Sequence, residues 1–160
     1  MKDPVFAFDL SDLDHITYTD TGVIEGYSSS LINFADGYLL GVGYDNSRNL
    51  KLEVYEETET SVDSVAVKTV AVSFSEDYKS YFIDRDRGLI GLGFWSYGMG
   101  EYALYAFDGY TLNQLVRVEM AGMPEYKRAT LIDCWLYILS DSSTHGLKVV
   151  QLFQEEEKAE

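Results

Sequence analysis

Leu39-Leu40-Gly41-Val42-Gly43-Tyr44 and Leu89-Ile90-Gly91-Leu92-Gly93-Phe94 match residue for residue at a spacing of 50. That echo decides the fold class, because a fixed period outweighs any local propensity. Leu136-Tyr137-Ile138-Leu139 is a shorter third copy. Just before each copy stands another repeated piece: Ser30-Leu31-Ile32-Asn33-Phe34, Ser80-Tyr81-Phe82-Ile83-Asp84 and Thr130-Leu131-Ile132-Asp133-Cys134. A third piece combines an aromatic with an acid or amide. It occurs as Val5-Phe6-Ala7-Phe8-Asp9, Leu52-Glu53-Val54-Tyr55-Glu56, Leu104-Tyr105-Ala106-Phe107-Asp108 and Val149-Val150-Gln151-Leu152-Phe153-Gln154.

Each piece is short, rich in β-branched and aromatic residues, and bounded by turn residues, so it reads as a strand. Ala35-Asp36-Gly37 and Asp84-Arg85-Asp86-Arg87-Gly88 read as hairpin turns with glycine free to take positive φ. Asp45-Asn46-Ser47-Arg48-Asn49 is a wider polar turn, and Val65 to Val72 supplies a fourth strand. Four short antiparallel strands recurring at this period describe an all-β chain of β-propeller blades, about three of them here. A sandwich or meandering barrel is the competing arrangement for antiparallel repeats; the three copies favour blades. Gly41, Gly43, Gly91 and Gly93 are then expected where neighbouring blades crowd together near a central channel.

The expected organisation is one propeller segment over residues 1–160. It comprises a partial blade at 5–22, whole blades at 27–74 and 75–122, an incomplete blade at 123–154 and an acidic tail at 155–160. Rings have about 4 to 8 blades. The expectation is therefore either a piece of a longer protein or a homodimer closing a ring of roughly six blades, with a strand such as His15 to Thr21 completing the last one.

Composition narrows the partners. With 12 Lys and Arg against 27 Asp and Glu the formal net charge is -15, which argues against phosphate-backbone binding and so against nucleic acid. A 46% hydrophobic content supports a packed core rather than global disorder. No run approaches the ~18 apolar residues of a spanning helix, so no membrane span is expected. Met1-Lys2-Asp3-Pro4 leads straight into the strand-like Val5 to Leu10 and does not read as a signal peptide. Cys134 is the only cysteine, which rules out an intrachain disulfide and any site of several thiolates.

Val5-Phe6-Ala7-Phe8-Asp9-Leu10-Ser11-Asp12, Leu39 to Asp45, Tyr81 to Asp84 with Gly88 to Leu92, and Leu136 to Asp141 resemble the family of secreted bacterial and archaeal proteins with a C-terminal β-propeller domain. The resemblance runs from about residue 4 to residue 154. It implies the propeller fold, a longer parent protein, and placement outside the cell or at its surface. It carries no catalytic or ligand residues onto this chain.

Few residues form a chemical constellation. His15 and His145 have no cysteine or second histidine at metal-ligand spacing, so a zinc site and a catalytic histidine are not expected. There is no Gly-x-Ser-x-Gly, and the serines of Ser28 to Ser30 and Ser140 to Ser143 are explained by turns. Gly91-Leu92-Gly93 lacks the third glycine of a dinucleotide loop. Asp84-x-Asp86-x-Gly88 has Trp95 where a calcium loop needs its twelfth-position acid. Asp9, Asp12 and Asp14, close together with Ser11, form the one candidate for a hard cation, and calcium is the ion that chemistry suits.

Phe94-Trp95-Ser96-Tyr97-Gly98-Met99-Gly100-Glu101-Tyr102 replaces the polar turn of the previous repeat with aromatic residues. Trp95, Tyr97 and Tyr102 are the expected anchors for a protein or glycan partner, since aromatic loops on rigid sheets make binding surfaces. Packing between blades is the competing role for Trp95. The functional expectation is a non-enzymatic interaction or scaffold module. The alternative is a glycan-acting or other hydrolytic enzyme module with paired carboxylates near the channel.

Overall fold

In a computed structural model the described residues are 4–21, 25–58, 61–142 and 146–153. His145, Ser143, Gln154 and the acidic tail lie outside them. The described residues form antiparallel sheets joined in chain order. A hairpin of β1 (Phe6–Asp9) and β2 (Thr17–Asp20) comes first. The first full sheet runs β3 (Tyr27–Ala35), β4 (Tyr38–Tyr44), β5 (Leu50–Glu57) and β6 (Val62–Val70).

The second full sheet begins with β7 (Ser73–Phe74) and β8 (Phe82–Asp84), which both pair with β9 (Leu89–Ser96), and continues through β10 (Met99–Phe107) and β11 (Leu112–Glu119). The third sheet holds β12 (Arg128–Ile132), β13 (Trp135–Leu139) and β14 (Leu147–Gln151). Ser73 and Phe74, expected in the first blade, pair with Trp95 and Phe94 and so belong to the second. Its first strand is split because a 3-10 turn at Tyr78–Ser80, capped by the Asp77 side chain on the Lys79 amide, interrupts it.

Turn chemistry sets these lengths. Gly37 (φ 74°) and Gly88 (φ 59°) close the turns before β4 and β9. Asp108 closes the β10–β11 turn, its Oδ1 accepting from the amides of Tyr110 and Thr111 at 2.9 and 2.8 Å. A register shift at Val54/Tyr55 in the first sheet recurs at Leu104/Tyr105 in the second. Those bulges mark β5 and β10 as equivalent strands.

The sheets stack face to face. Leu40, Val42, Leu52 and Val54 of the first meet Ile90, Leu92, Ala103 and Tyr105 of the second in one buried cluster. Leu89, Tyr102 and Leu104, on the other side of the second sheet, meet Leu136 and Ile138 of the third. The second sheet thus has one face toward the preceding layer and one toward the following layer, the stacking of propeller blades.

The glycines depart from expectation. Leu40 stands opposite Val54, whereas Gly91 stands opposite Leu104. Since Val54 and Leu104 are equivalent, β4 and β9 are out of step with their sequence echo by one residue, which exchanges the faces. Gly41 and Gly43 therefore turn away from the second sheet, and Gly91 and Gly93 turn toward the third. The crowding is also mostly within a sheet. A Cβ on Gly41 would lie 2.4 Å from Ser28 Oγ, and one on Gly91 would lie 2.3 Å from the Tyr102 hydroxyl. Only Gly93 of these four meets residues outside its own sheet, Lys127 and Pro124 of the 3-10 turn that leads into the third sheet.

Candidate functional site

The β9–β10 hairpin turns at Tyr97 (φ 49°) and Gly98 (φ 83°). Two consecutive positive φ values are the type I′ geometry that matches strand twist. The turn holds Tyr97 out at 96% exposure, with Met99 at 47% and Trp95 at 37% beside it. Trp95 is fixed between Ser73 and Gly100 on its flanking strands. It faces a shallow depression shared with Arg48, Asn49, Val72, Ser73 and Tyr97.

The opposite wall is equally well braced. Asp45 Oδ1 accepts from the amides of Ser47 and Asn49 at 2.8 Å, and its Oδ2 accepts from Asn49 Nδ2. Partial burial pushes the Asp45 carboxyl up, but the hydrogen bonds from Asn49 and Ser47 outweigh it and hold the group below its usual range. The arrangement presents one aromatic wall, one guanidinium-bearing turn and several polar edges, a set that can stack on a planar or sugar-ring face and hydrogen-bond around it.

Tyr102 is not part of this surface. It is fully buried, and its ring covers Gly91 on the side facing the third sheet. Strand alternation explains the difference, because Tyr102 lies well inside β10 rather than in the loop. Burial pushes its phenol far above the usual range. Glu101, its neighbour, points the other way and takes both Nε and Nη2 of Arg117, the latter at 3.0 Å. The Arg117 guanidinium also lies 5.1 Å from the Phe94 ring centroid. The Arg117 hydrogen bond holds the Glu101 carboxyl below its usual value.

Asp9, Asp12 and Asp14 share one exposed turn, and the carboxylates of Asp9 and Asp12 serve the turn itself. Asp9 Oδ1 accepts from the Ser11 amide at 2.9 Å, Asp12 Oδ1 from the Asp14 amide at 3.0 Å, and Asp12 Oδ2 lies 3.0 Å from His15 Nδ1. The Ser11 amide is the main cause of a lowered Asp9 pKa. Among the described residues no group of three or more His, Cys, Asp or Glu is placed to hold a metal ion.

A second depression lies where the first strands of the three sheets converge, lined by Ile32, Phe82, Asp84, Arg87, Thr130 and Asp133 among others. Asp84 is committed there to Arg87, at 2.9 Å from Nη1 and 3.1 Å from the amide. The sequence signal of this cleft is the Asp84 to Gly88 turn, longer than Asp36-Gly37. No helix among the described residues is long and apolar enough to cross a membrane.

Stacked antiparallel sheets in chain order, with the first strands converging on one cleft, define a segment of a β-propeller. The Beta propeller domain family matches residues 1–151, and the chain belongs to it. Searches of curated proteins and of solved structures found no match.

Proposed function

We propose that this propeller segment is a non-enzymatic interaction module, part of an extracellular or cell-surface protein, that binds through Trp95, Tyr97 and the Arg48 turn. One observation carries the reading: a tyrosine held almost fully in solvent by a turn whose backbone favours asparagine or glycine instead. A residue poorly suited to its backbone and unneeded for packing is a candidate for contact with a partner. The aromatic and polar lining suits a neutral glycan or a protein surface. Placement outside the cell rests on the resemblance to secreted proteins.

The hydrolytic alternative draws on Asp84, Asp86 and Asp133 in the convergence cleft. One experiment separates the two. Cello-, chito- and malto-oligosaccharides are immobilised, and both protein retention and newly released reducing ends are measured. The binding reading predicts retention without product, lost in Tyr97→Ala and Trp95→Ala while thermal unfolding of Tyr97→Ala is unchanged. Release of reducing ends, abolished by Asp133→Asn, favours the hydrolase; absence of both retention and release removes glycans from the proposal.

A further inference from the structure

Among the described residues the stacking rule leaves two matching surfaces uncovered, one at each end. Val54, Leu104 and Val149 occupy equivalent places on the face toward the following sheet, standing opposite Leu40, Gly91 and Tyr137. The first two are 0% exposed, and Val149 is 44% exposed. Two residues earlier on the same face, Leu52 and Tyr102 are fully buried whereas Leu147 is 55% exposed. The third sheet therefore carries the apolar face that its predecessors cover.

The β1–β2 hairpin carries the complementary face. Ala7-Phe8-Asp9 repeats Ala106-Phe107-Asp108. Phe8 stands opposite Tyr18 as Phe107 stands opposite Leu112, and each aspartate accepts from the amide two residues on. β2 touches β6 as β11 does. The hairpin is thus the outer half of a layer preceding the first sheet. In the second sheet Phe107 reaches back to the first, its ring edge-to-face with Tyr38 at 5.1 Å, and Leu112 is 4% exposed. In the hairpin Phe8 is 60% and Tyr18 61% exposed, and with Phe6 they form an aromatic cluster with centroids 5.8 to 6.4 Å apart.

We infer that two copies of this chain join head to tail, the outer face of the third sheet in one copy packing on Phe6, Phe8 and Tyr18 of the other. The contact repeats the one the first sheet makes with the second. Tyr38, Leu89 and Trp135 each open the second strand after the hairpin turn, so Phe8 is placed on Trp135 of the second copy as Phe107 is on Tyr38. Counting the hairpin as a layer, the described residues of two copies supply eight layers, the upper end of the roughly 4 to 8 that close a ring. A second copy fits because it presents the same type of surface already matched twice within the chain. The formal charge of -15 per chain opposes the union, so added salt strengthens it.

Sedimentation or light scattering of the full chain across a concentration series tests this. The expected mass is about 36 kDa, twice the 18.1 kDa of one chain. Phe8→Lys and Val149→Glu, both at exposed positions, each raise the dissociation constant by about tenfold or more, with circular dichroism and melting unchanged. A mixture of the two variants regains dimer, because one contact then joins two unaltered faces. A monomeric wild type overturns the proposal. So does a dimer that survives Val149→Glu, or one that the mixture fails to restore, since a contact between identical patches behaves in those ways.

Discussion

At the level of single residues, the buried carboxylate of the second sheet is matched within it, whereas the Tyr102 and Tyr105 hydroxyls are buried without a hydrogen-bond partner. Glu101 is 7% exposed and its two oxygens are held by one guanidinium, the bidentate geometry that makes such pairs strong. Its folded pKa lies below the ordinary 4.5, so the folded state binds fewer protons than the unfolded chain as pH falls past that value. The pair's stabilisation is complete above 4.5 and is lost as pH drops through the lowered folded value. Glu101→Gln should lower stability at neutral pH by about 1–2 kcal/mol and flatten the acid limb of a urea-denaturation series. An acid limb as steep as wild type would show that other carboxylates set it.

At the same scale, residues that read alike in the sequence come apart in the structure. Tyr97 and Tyr102 looked alike in the sequence because both stand among aromatic and glycine residues. One occupies the turn and the other a strand position facing the third sheet, which depends on where the two-residue turn falls. The acidic triplet at Asp9, Asp12 and Asp14 was legible as a turn, but the use of the carboxylates by amides at 2.9 and 3.0 Å was not. Both turn partners, Ser11 and Asp14, act through backbone groups that every residue carries.

Among the elements, the hairpins were the most legible feature. Gly37 and Gly88 sit at positive φ as turn chemistry requires. The facing of the glycine strands was not legible, because β4 is followed by the five-residue link Asp45 to Asn49 and β9 by Tyr97-Gly98 alone. That change in turn length moves the pairing by one residue and exchanges inside for outside. A perfect sequence echo hides such a slip.

The type I′ turn gives a prediction that separates folding from binding. Asparagine tolerates positive φ better than tyrosine does and is the favoured partner of a following glycine. Tyr97→Asn should stabilise the chain by about 0.5–1 kcal/mol while weakening any ligand retention that depends on the ring. A thermal melt and a binding assay on the same variant check it. Loss of stability would mean that the tyrosine ring contributes to packing despite its exposure.

For the molecule as a whole, the repeat made the blade class readable while the continuity between layers needed coordinates. Phe8 and Phe107 share a three-residue match with their neighbours, but only the pairing of each with β2 and β11 shows that they look toward the preceding layer. The exposure of Val149 beside the burial of Val54 and Leu104 carries the same information at the other end. The apolar faces at the two ends offer copies a contact despite the formal charge of -15.

The head-to-tail arrangement makes one geometric demand that mass alone does not test, the approach of Phe8 to Trp135 of another copy. In a Cys134→Ser background, which removes the sole native thiol, Phe8→Cys and Trp135→Cys chains are prepared separately, mixed and treated with a short bismaleimide that spans the ~10 Å between packed sheets. The expected result is a cross-linked dimer in the mixture and little in either chain alone, since the two cysteines face each other only across unlike ends. Cross-linking of Phe8→Cys with itself, or none in the mixture, would contradict the shared stacking rule for layers within and between chains.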